Sequence, residues 1–321
     1  MVLGKKAVFF TFIAVMLLSV LILSMNINQT YRLRESIFVT ESRIGTMDRF
    51  IDDIEEDIKR GVYISGFRAL VGIENNITLG GDYITDVNSK FSELFLNGTL
   101  DGVNSSIMLN NTFKDWMKKM EAEAVKTDIV INFTLNSISL SQDDPWNIRV
   151  DTNVYIDITD KRNTSHWSKE EEVITHIEID GFEDPIYRVQ TQEASYSNKI
   201  EKSNYSYFVS GNDISNLLDH IEKGYYVAFS GAPSYLMRLE GNLSASEYGI
   251  ESLVNADESP WGDNSGSIVD YYYFDEYNNP DSYRVNSGEP SPPEWLRIDN
   301  ETNMYSNLTH IEIYQIEDLL P

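Results

Sequence analysis

The sequence predicts an α+β fold in which an N-terminal transmembrane helix continues into an amphipathic helix and precedes an antiparallel, β-rich head with packed helices. Three observations predict it. An uncharged apolar run occupies residues 7–30, apolar residues then recur at helical spacing as far as Ile58, and from Asp128 onward apolar and polar residues alternate. A period near 3.6 is typical of amphipathic helices and a period of two is typical of half-buried strands.

The first element is the apolar run, which is long enough to cross a bilayer. Between Ala7 and Met25 only three hydroxyl side chains interrupt it. At about 1.5 Å per residue this stretch spans roughly 28 Å, close to the thickness of the hydrocarbon core. A secretory signal usually has a shorter apolar region followed by small residues. Since the best cleavage position, after Ser24, has Ile22 two residues before it, the run favours a retained anchor over a removable signal.

The flanking residues predict the orientation of that helix. Lys5 and Lys6 precede it, and positive charge is retained on the cytoplasmic side. We therefore expect residues 1–6 to form a cytoplasmic tail, residues 7–30 to span the cell membrane once, and the bulk of the chain to be extracellular.

Asn-x-Ser/Thr triplets support an extracellular location. The composition would give about four by chance, whereas the sequence has eleven. Asn28 lies too close to the membrane to be modified. The remaining ten candidates are Asn76, Asn97, Asn104, Asn110, Asn132, Asn163, Asn204, Asn242, Asn300 and Asn307. They predict a glycosylated surface, and the alternative is a loop composition that is simply rich in Asn, Ser and Thr.

Charge and cysteine content exclude several classes of function. The net charge is −26 and there is no cysteine. A field of that sign repels nucleic acid, so no nucleic-acid partner is expected. Exported eukaryotic domains of this size commonly carry disulfides. A cysteine-free chain with many glycosylation triplets therefore fits an archaeal cell surface better.

The second element, residues 31–65, is predicted to be an amphipathic stalk helix. Its apolar stripe consists of Ile44, Met47, Ile51, Ile54 and Ile58, spaced 3, 4, 3, 4, which is the period of a narrow helical seam. The stripe is interpreted either as an assembly seam for a like subunit or as a face that packs on the chain's own head. A turn-rich break is expected at "GIENNITLGGD".

Residues 66–195 are predicted to form an α+β extracellular domain with a β-meander. Helices are expected in "DYITDVNSKFSELF" and in "NTFKDWMKKMEAEAVK", the latter capped at Asn111 or Thr112. Three alternating runs, "DIVINFTLNSISL", "WNIRVDTNVYIDITD" and "EVITHIEIDGF", predict antiparallel strands packed on these helices.

Residues 196–321 are predicted to be a second β-rich domain or a continuation of the first. We expect a helix in "NDISNLLDHIEKG", and strands in "GYYVAFSG", "SIVDYYYFDEY" and "HIEIYQIEDLL". The tyrosines of the second strand run, Tyr271, Tyr272, Tyr273 and Tyr277, are interpreted as strand residues or as a platform for carbohydrate or a partner.

Motifs for catalysis are weak, so no catalytic or cofactor-binding residue is predicted. The four histidines lack the i, i+4 spacing of a zinc helix, and Ser230 lacks the glycine two residues earlier that a nucleophile turn requires. The weak calcium candidates are Asp257, Glu258, Asp263 and Asn264, which lie around two glycines. A solvated acidic loop is the favoured interpretation of that cluster.

Two resemblances add to this reading. The block "KKAVFFTFIAVMLLSVLIL", with "FTFI" at 10–13, resembles the N-terminal helix of type IV pilin-like proteins. The segments "DPWNIRV", "IEIDGFEDPIY" and "PSYLMRLEGNLSASEYGIESLVN" are similar to uncharacterised archaeal membrane-anchored surface proteins. The first resemblance implies assembly with like subunits through the N-terminal helix, and the second implies only a compartment.

The leading hypothesis is a non-enzymatic, single-pass cell-surface glycoprotein, pilin-like or an envelope structural subunit, that acts by assembly or binding. Its expected partners are the lipid bilayer and like subunits. The alternative is a membrane-anchored extracellular enzyme or a carbohydrate- or calcium-binding module. A secreted protein whose opening helix is removed remains a third reading.

Overall fold

A computed structural model describes residues 5–161, 165–193, 195–263, 265–275, 278–302, 305 and 307–320. The fold is mixed, with 41% helix and 23% strand. The chain divides into two compact units, Met1–Asp57 and Ile58–Pro321. The second unit, called the body below, begins within the predicted stalk and covers the rest of the predicted ranges 66–195 and 196–321.

One helix, α1, runs from Lys5 to Gly80. Its stretch Phe9–Gln29 has a mean hydropathy of 2.4 with none of its most apolar window buried, so it is long and apolar enough to span a membrane. Ser19 Oγ donates to the Val15 carbonyl at 2.8 Å, which satisfies one of the three hydroxyls inside the apolar stretch.

The predicted break at "GIENNITLGGD" (residues 72–82) begins later than expected, because α1 continues through its first nine residues and ends at Gly80. Ile73 and Ile77 are fully buried there and extend the apolar face of the helix. Burial of that face outweighs the low helix propensity of the neighbouring asparagines. Gly81, with φ +77°, ends the helix and donates its N–H to the Ile77 carbonyl at 2.7 Å.

Two predicted helices of the body are present, and the second begins at a cap that the sequence predicts. Helix α2 spans Val87–Asn97, and helix α3 spans Phe113–Lys126. Thr112 and Asp115 form a reciprocal capping box at the start of α3. Two two-residue strands, β1 (Thr99–Leu100) and β2 (Val103–Asn104), pair antiparallel between the helices.

The predicted meander is confirmed. Strands β3 (Ile129–Asp144), β4 (Asn147–Asp160) and β5 (His166–Glu178) form an antiparallel sheet in the order β3-β4-β5. Along β4 every second residue from Ile148 is buried, because one face of the sheet packs on the core.

The remaining elements are short. They are α4 (Pro185–Thr191), α5 (Ser215–Glu222), β6 (Tyr226–Ala228), α6 (Tyr235–Leu239), β7 (Ile250–Ser252), α7 (Asp270–Tyr273), β8 (Ser282–Arg284), β9 (Arg297–Asp299), α8 (His310–Ile313) and a 3-10 turn (Glu317–Leu319). Strands β6 and β7 pair antiparallel, as do β8 and β9. The predicted helix α5 and the predicted strand β6 are both present.

Two strand predictions in this part are wrong. The described part of the run "SIVDYYYFDEY" contains α7 rather than a strand, and Asp270, Tyr271 and Tyr273 of this helix are buried together with Phe274 after it, a pattern that a one-sided strand cannot produce. The run "HIEIYQIEDLL" forms α8 and the 3-10 turn. A capping box between Thr309 and the third helical residue starts α8 and outweighs the alternating pattern.

Candidate functional site

The calcium candidates lie on an exposed loop. Asp257, Glu258 and Asp263 are exposed, and Asn264 lies outside the described residues. Asp263 Oδ1 accepts a hydrogen bond from the Ser265 N–H at 2.8 Å, within its own turn. Among the residues that the structure describes, no group of three or more His, Asp or Glu side chains is placed to hold a metal ion.

The glycosylation candidates share exposure to solvent. Asn76, Asn97, Asn104, Asn110, Asn132, Asn204, Asn242, Asn300 and Asn307 are all exposed, and Asn163 lies outside the described residues. An attached glycan extends into solvent, so exposure of the asparagine is a requirement for modification. All nine described candidates in the body meet it.

The residues of the predicted assembly seam differ in exposure. Ile44 is 48% exposed and Ile51 is partly exposed, whereas Met47, Ile54 and Ile58 are buried. Of the five, Ile44 and Ile51 therefore have surface that another helix could contact.

A buried ion triad, which sequence reasoning missed, lies in the core of the body. Arg238 of α6 places Nη1 against Asp184 Oδ2 and, at 2.8 Å, against Asp270 Oδ2, and all three side chains are fully buried. Asp184 also caps α4 by accepting from the Ile186 N–H at 3.0 Å. The arginine Nη2 donates to the Ile250 carbonyl. The triad therefore joins α4, α6, β7 and α7.

The charge states within this first triad follow from burial. Burial raises the pKa of Asp270 to about 6, although Arg238 beside it acts in the opposite direction. The Ser252 N–H and hydroxyl both donate to Asp270 Oδ2, at 3.1 and 3.0 Å. These donors hold the carboxylate toward β7.

A second buried triad contains His310. Its Nδ1 lies 2.6 Å from Asp299 Oδ1 and its Nε2 lies 3.1 Å from Glu251 Oε2, and all three residues are buried. Burial alone would lower the pKa of His310, but the charge of Glu251 and the hydrogen bond to Asp299 raise it to about 10. The imidazole is therefore protonated at neutral pH, and both nitrogens donate to carboxylates.

A protonated imidazole has no lone pair with which to accept a proton. His310 lines a cavity of about 210 Å³ together with Phe229, Gly231 and Tyr271. Ser230, considered above as a nucleophile, lies between two of these lining residues and is partly exposed. The triad joins α8, β7 and β9.

Strand β7 connects the two triads. Its residues Ile250 and Ser252 contact the first triad, and Glu251 between them contacts the second, because successive side chains of a strand point to opposite sides. Each triad carries one cation and two carboxylates.

Two large open cavities meet at Trp261. One has a volume of about 760 Å³ and the other about 840 Å³, and both are lined by Trp261 and Asp275. The first is also lined by Gln190, Gly241, Asn242, Leu243, Ser244, Tyr271, Tyr272, Phe274 and Asn278, and the second by Ser265, Gly266, Tyr273, Asn279, Pro280, Asp281 and Ser282. We call these two cavities the Trp261 grooves. Their volumes fall within the range of small-molecule sites.

Sequence reasoning considered four tyrosines of this region but not Trp261. The structure places Tyr271 and Tyr272 in the first groove and Tyr273 in the second, and Tyr277 lies outside the described residues. A tryptophan close to two glycines, one Asp and one Asn in "ESPWGDNSG" was the available signal.

Comparison of the chain with protein-family models, with curated proteins and with solved structures finds no match. The function is therefore argued from the apolar helix, the exposed asparagines, the buried triads and the Trp261 grooves.

Proposed function

We propose that this chain is a non-enzymatic, single-pass cell-surface glycoprotein whose body works outside the cell by binding or assembly. The observation that carries the proposal is the stretch Phe9–Gln29, a 21-residue apolar helix with no part of its most apolar window buried. Each large apolar side chain left in water forgoes about 1.5–3 kcal/mol of burial free energy. Insertion into a bilayer supplies that burial.

Three features support the extracellular placement of the body. The nine described glycosylation candidates of the body are exposed. The chain has no cysteine and carries a net charge of −26, and an acidic surface remains soluble and does not adhere to anionic headgroups. Lys5 and Lys6 on the other side of the helix favour a cytoplasmic N-terminus.

The state of the buried ionisable groups supports binding rather than catalysis. Catalytic acids and bases need a pKa near the working pH and access to substrate. Arg238 and His310 instead lie between paired carboxylates in the core. Their charges stabilise the arrangement of short elements.

Assembly with like subunits is the pilin-like form of the proposal. Ile51 is partly exposed on α1 and belongs to a stripe with helical spacing. We expect Ile51→Asp to abolish self-association in detergent, measured by analytical ultracentrifugation, because a charge in a helical seam is costly. Asp53→Asn, at an exposed position nearby, is the matched control. Unchanged association of the Ile51→Asp protein would rule out this seam.

The anchor is tested by the mature N-terminus of the native protein from the membrane fraction, measured by mass spectrometry. A start within the first two residues, together with digestion of the body by protease added to intact cells, is expected. A start near Met25 would show a removed signal, and a start at Val8 or Phe10 would show pilin-type processing. Protection of the body from protease in intact cells would contradict the proposed topology.

A further inference from the structure

Trp261 is held rigidly although it is exposed. All five tryptophans lie in the described residues, and Trp261, at 39%, is the one exposed by more than a third. Its ring stacks on Tyr273 at 6.1 Å between centroids and contacts Phe274 edge-on at 5.5 Å. Both supporting rings are 1% exposed. A large apolar ring fixed at the surface forgoes burial that a ligand can supply.

Hydrogen bonds fix the loop on both sides of the indole. The Tyr273 hydroxyl lies 2.8 Å from Ser259 Oγ and donates to the Gly262 carbonyl at 2.5 Å. The Trp261 N–H of the backbone donates to Ser259 Oγ at 3.2 Å. The ring is therefore positioned before any ligand arrives, which lowers the entropy cost of binding.

The polar groups around the ring suit hydroxyl groups. The first groove offers the amides of Asn242 and Asn278 and the Ser244 hydroxyl, and the second offers the Asp281 carboxylate and the Ser282 hydroxyl. Amides and hydroxyls can both donate and accept, and carboxylates accept from hydroxyls. A polyhydroxylated ligand matches this mixture on either side of the ring.

The charge of the groove lining narrows the class of ligand further. Among the described residues that line the two grooves there is no Lys, Arg or His, whereas Asp275 lines both and Asp281 lines the second. Phosphate, sulfate and uronic acid groups would be repelled there. A neutral sugar fits these grooves, because its C–H face stacks on a flat aromatic ring such as Trp261 while its hydroxyls contact the polar rim.

We propose that the two Trp261 grooves form one binding site for a neutral carbohydrate of several sugar rings, with one ring stacked on Trp261. The proposal deepens the binding role inferred for the body and rests on it. The carbohydrate has two sources. It is either a separate polysaccharide or the glycan attached to Asn242, a glycosylation candidate that itself lines the first groove.

The test uses the purified full-length protein in detergent micelles. Binding of neutral oligosaccharides of four to six rings, from cellulose, chitin, mannan and laminarin, is measured by calorimetry and by tryptophan fluorescence. We expect Trp261→Ala to weaken binding at least about ten-fold, as for a buried aromatic anchor. Trp167→Ala, which removes a partly exposed ring on β5, is the matched control. Thermal melting verifies that both variants fold.

The second arm repeats these measurements with Asn242→Gln, which keeps an amide but removes the glycosylation triplet. Binding in the wild type points to a separate polysaccharide. Binding that is gained only in Asn242→Gln shows that the chain's own glycan occupies the grooves. Absence of binding in both proteins, or binding that Trp261→Ala leaves unchanged, would overturn the carbohydrate proposal. None of these results would alter the mature N-terminus or the protease accessibility of the body, so failure of the anchor proposal is distinguished from failure here.

Discussion

Replacing Arg238 by methionine removes the cation that lies between Asp184 and Asp270 while keeping most of the side-chain volume. All three side chains are fully buried, so the variant leaves two carboxylates without the charge that offsets their desolvation. Removing one partner of a buried ion pair costs about 3–5 kcal/mol. The Ile250 and Pro233 carbonyls also lose their arginine donors. We therefore expect a loss of at least about 3 kcal/mol, out of a typical total of about 5–15 kcal/mol.

The matched variant Asp270→Asn separates this charge effect from the loss of packing. It leaves Arg238 paired with Asp184, and the asparagine carbonyl can still accept from Ser252. Since burial already raises the pKa of Asp270 to about 6, the folded protein disfavours the ionised form. We expect a cost of about 1 kcal/mol at pH 4, where the wild-type carboxyl carries its proton, comparable to one imperfect hydrogen bond.

The two proteins also differ in pH dependence. With a folded-state pKa of about 6 against an ordinary aspartate pKa of 3.8, the folded protein keeps the Asp270 proton at pH values where the unfolded chain releases it. This group's contribution to stability therefore decreases as the pH rises from about 4 to about 6, and Asp270→Asn removes that decrease.

Urea unfolding of the full-length protein in detergent, followed by tryptophan fluorescence between pH 4 and pH 8, measures both effects. A free energy of unfolding for Arg238→Met within about 1 kcal/mol of the wild type would refute the reasoning. An Asp270→Asn protein as unstable as Arg238→Met would do so too.

Two further predictions concern stability. Burial raises the pKa of Glu74 to about 7, so the contribution of this group to stability falls as the pH rises from about 4.5 to about 7. The variant Glu74→Gln keeps the acceptor for the Glu183 N–H, and it should be more thermally stable than the wild type at pH 8 and equally stable at pH 5. Equal stability of the two proteins at both pH values would be inconsistent with the raised pKa. In urea unfolding, Gly241→Ala should be clearly more destabilising than Gly102→Ala. Both glycines have positive φ, but a Cβ at Gly241 would lie 2.5 Å from the Tyr83 ring, whereas a Cβ at Gly102 would meet nothing within 4 Å. Equal losses of unfolding free energy would show that the Tyr83 side chain moves aside.

Local patterns in the sequence were sufficient to predict several helices and strands. The apolar stretch at the N-terminus, the Thr112 cap and the three alternating runs each depend on neighbouring residues, and the structure contains the corresponding helices and strands. The break after α1 begins later than expected, because burial of Ile73 and Ile77, a tertiary effect, extends the helix to Gly80.

The sequence by itself thus determined an apolar N-terminal helix, capped helices and an antiparallel meander, since hydrophobic period and capping chemistry act over a few residues. Only the tertiary structure decided that Tyr271 lies in a helix, that Arg238 meets carboxylates 54 and 32 residues away, and that two grooves meet at Trp261. The residues next to a charged side chain in the sequence do not indicate whether that side chain is buried. Its environment depends on partners that the folded chain brings together, and those partners decide whether the charge is solvated, paired or able to react.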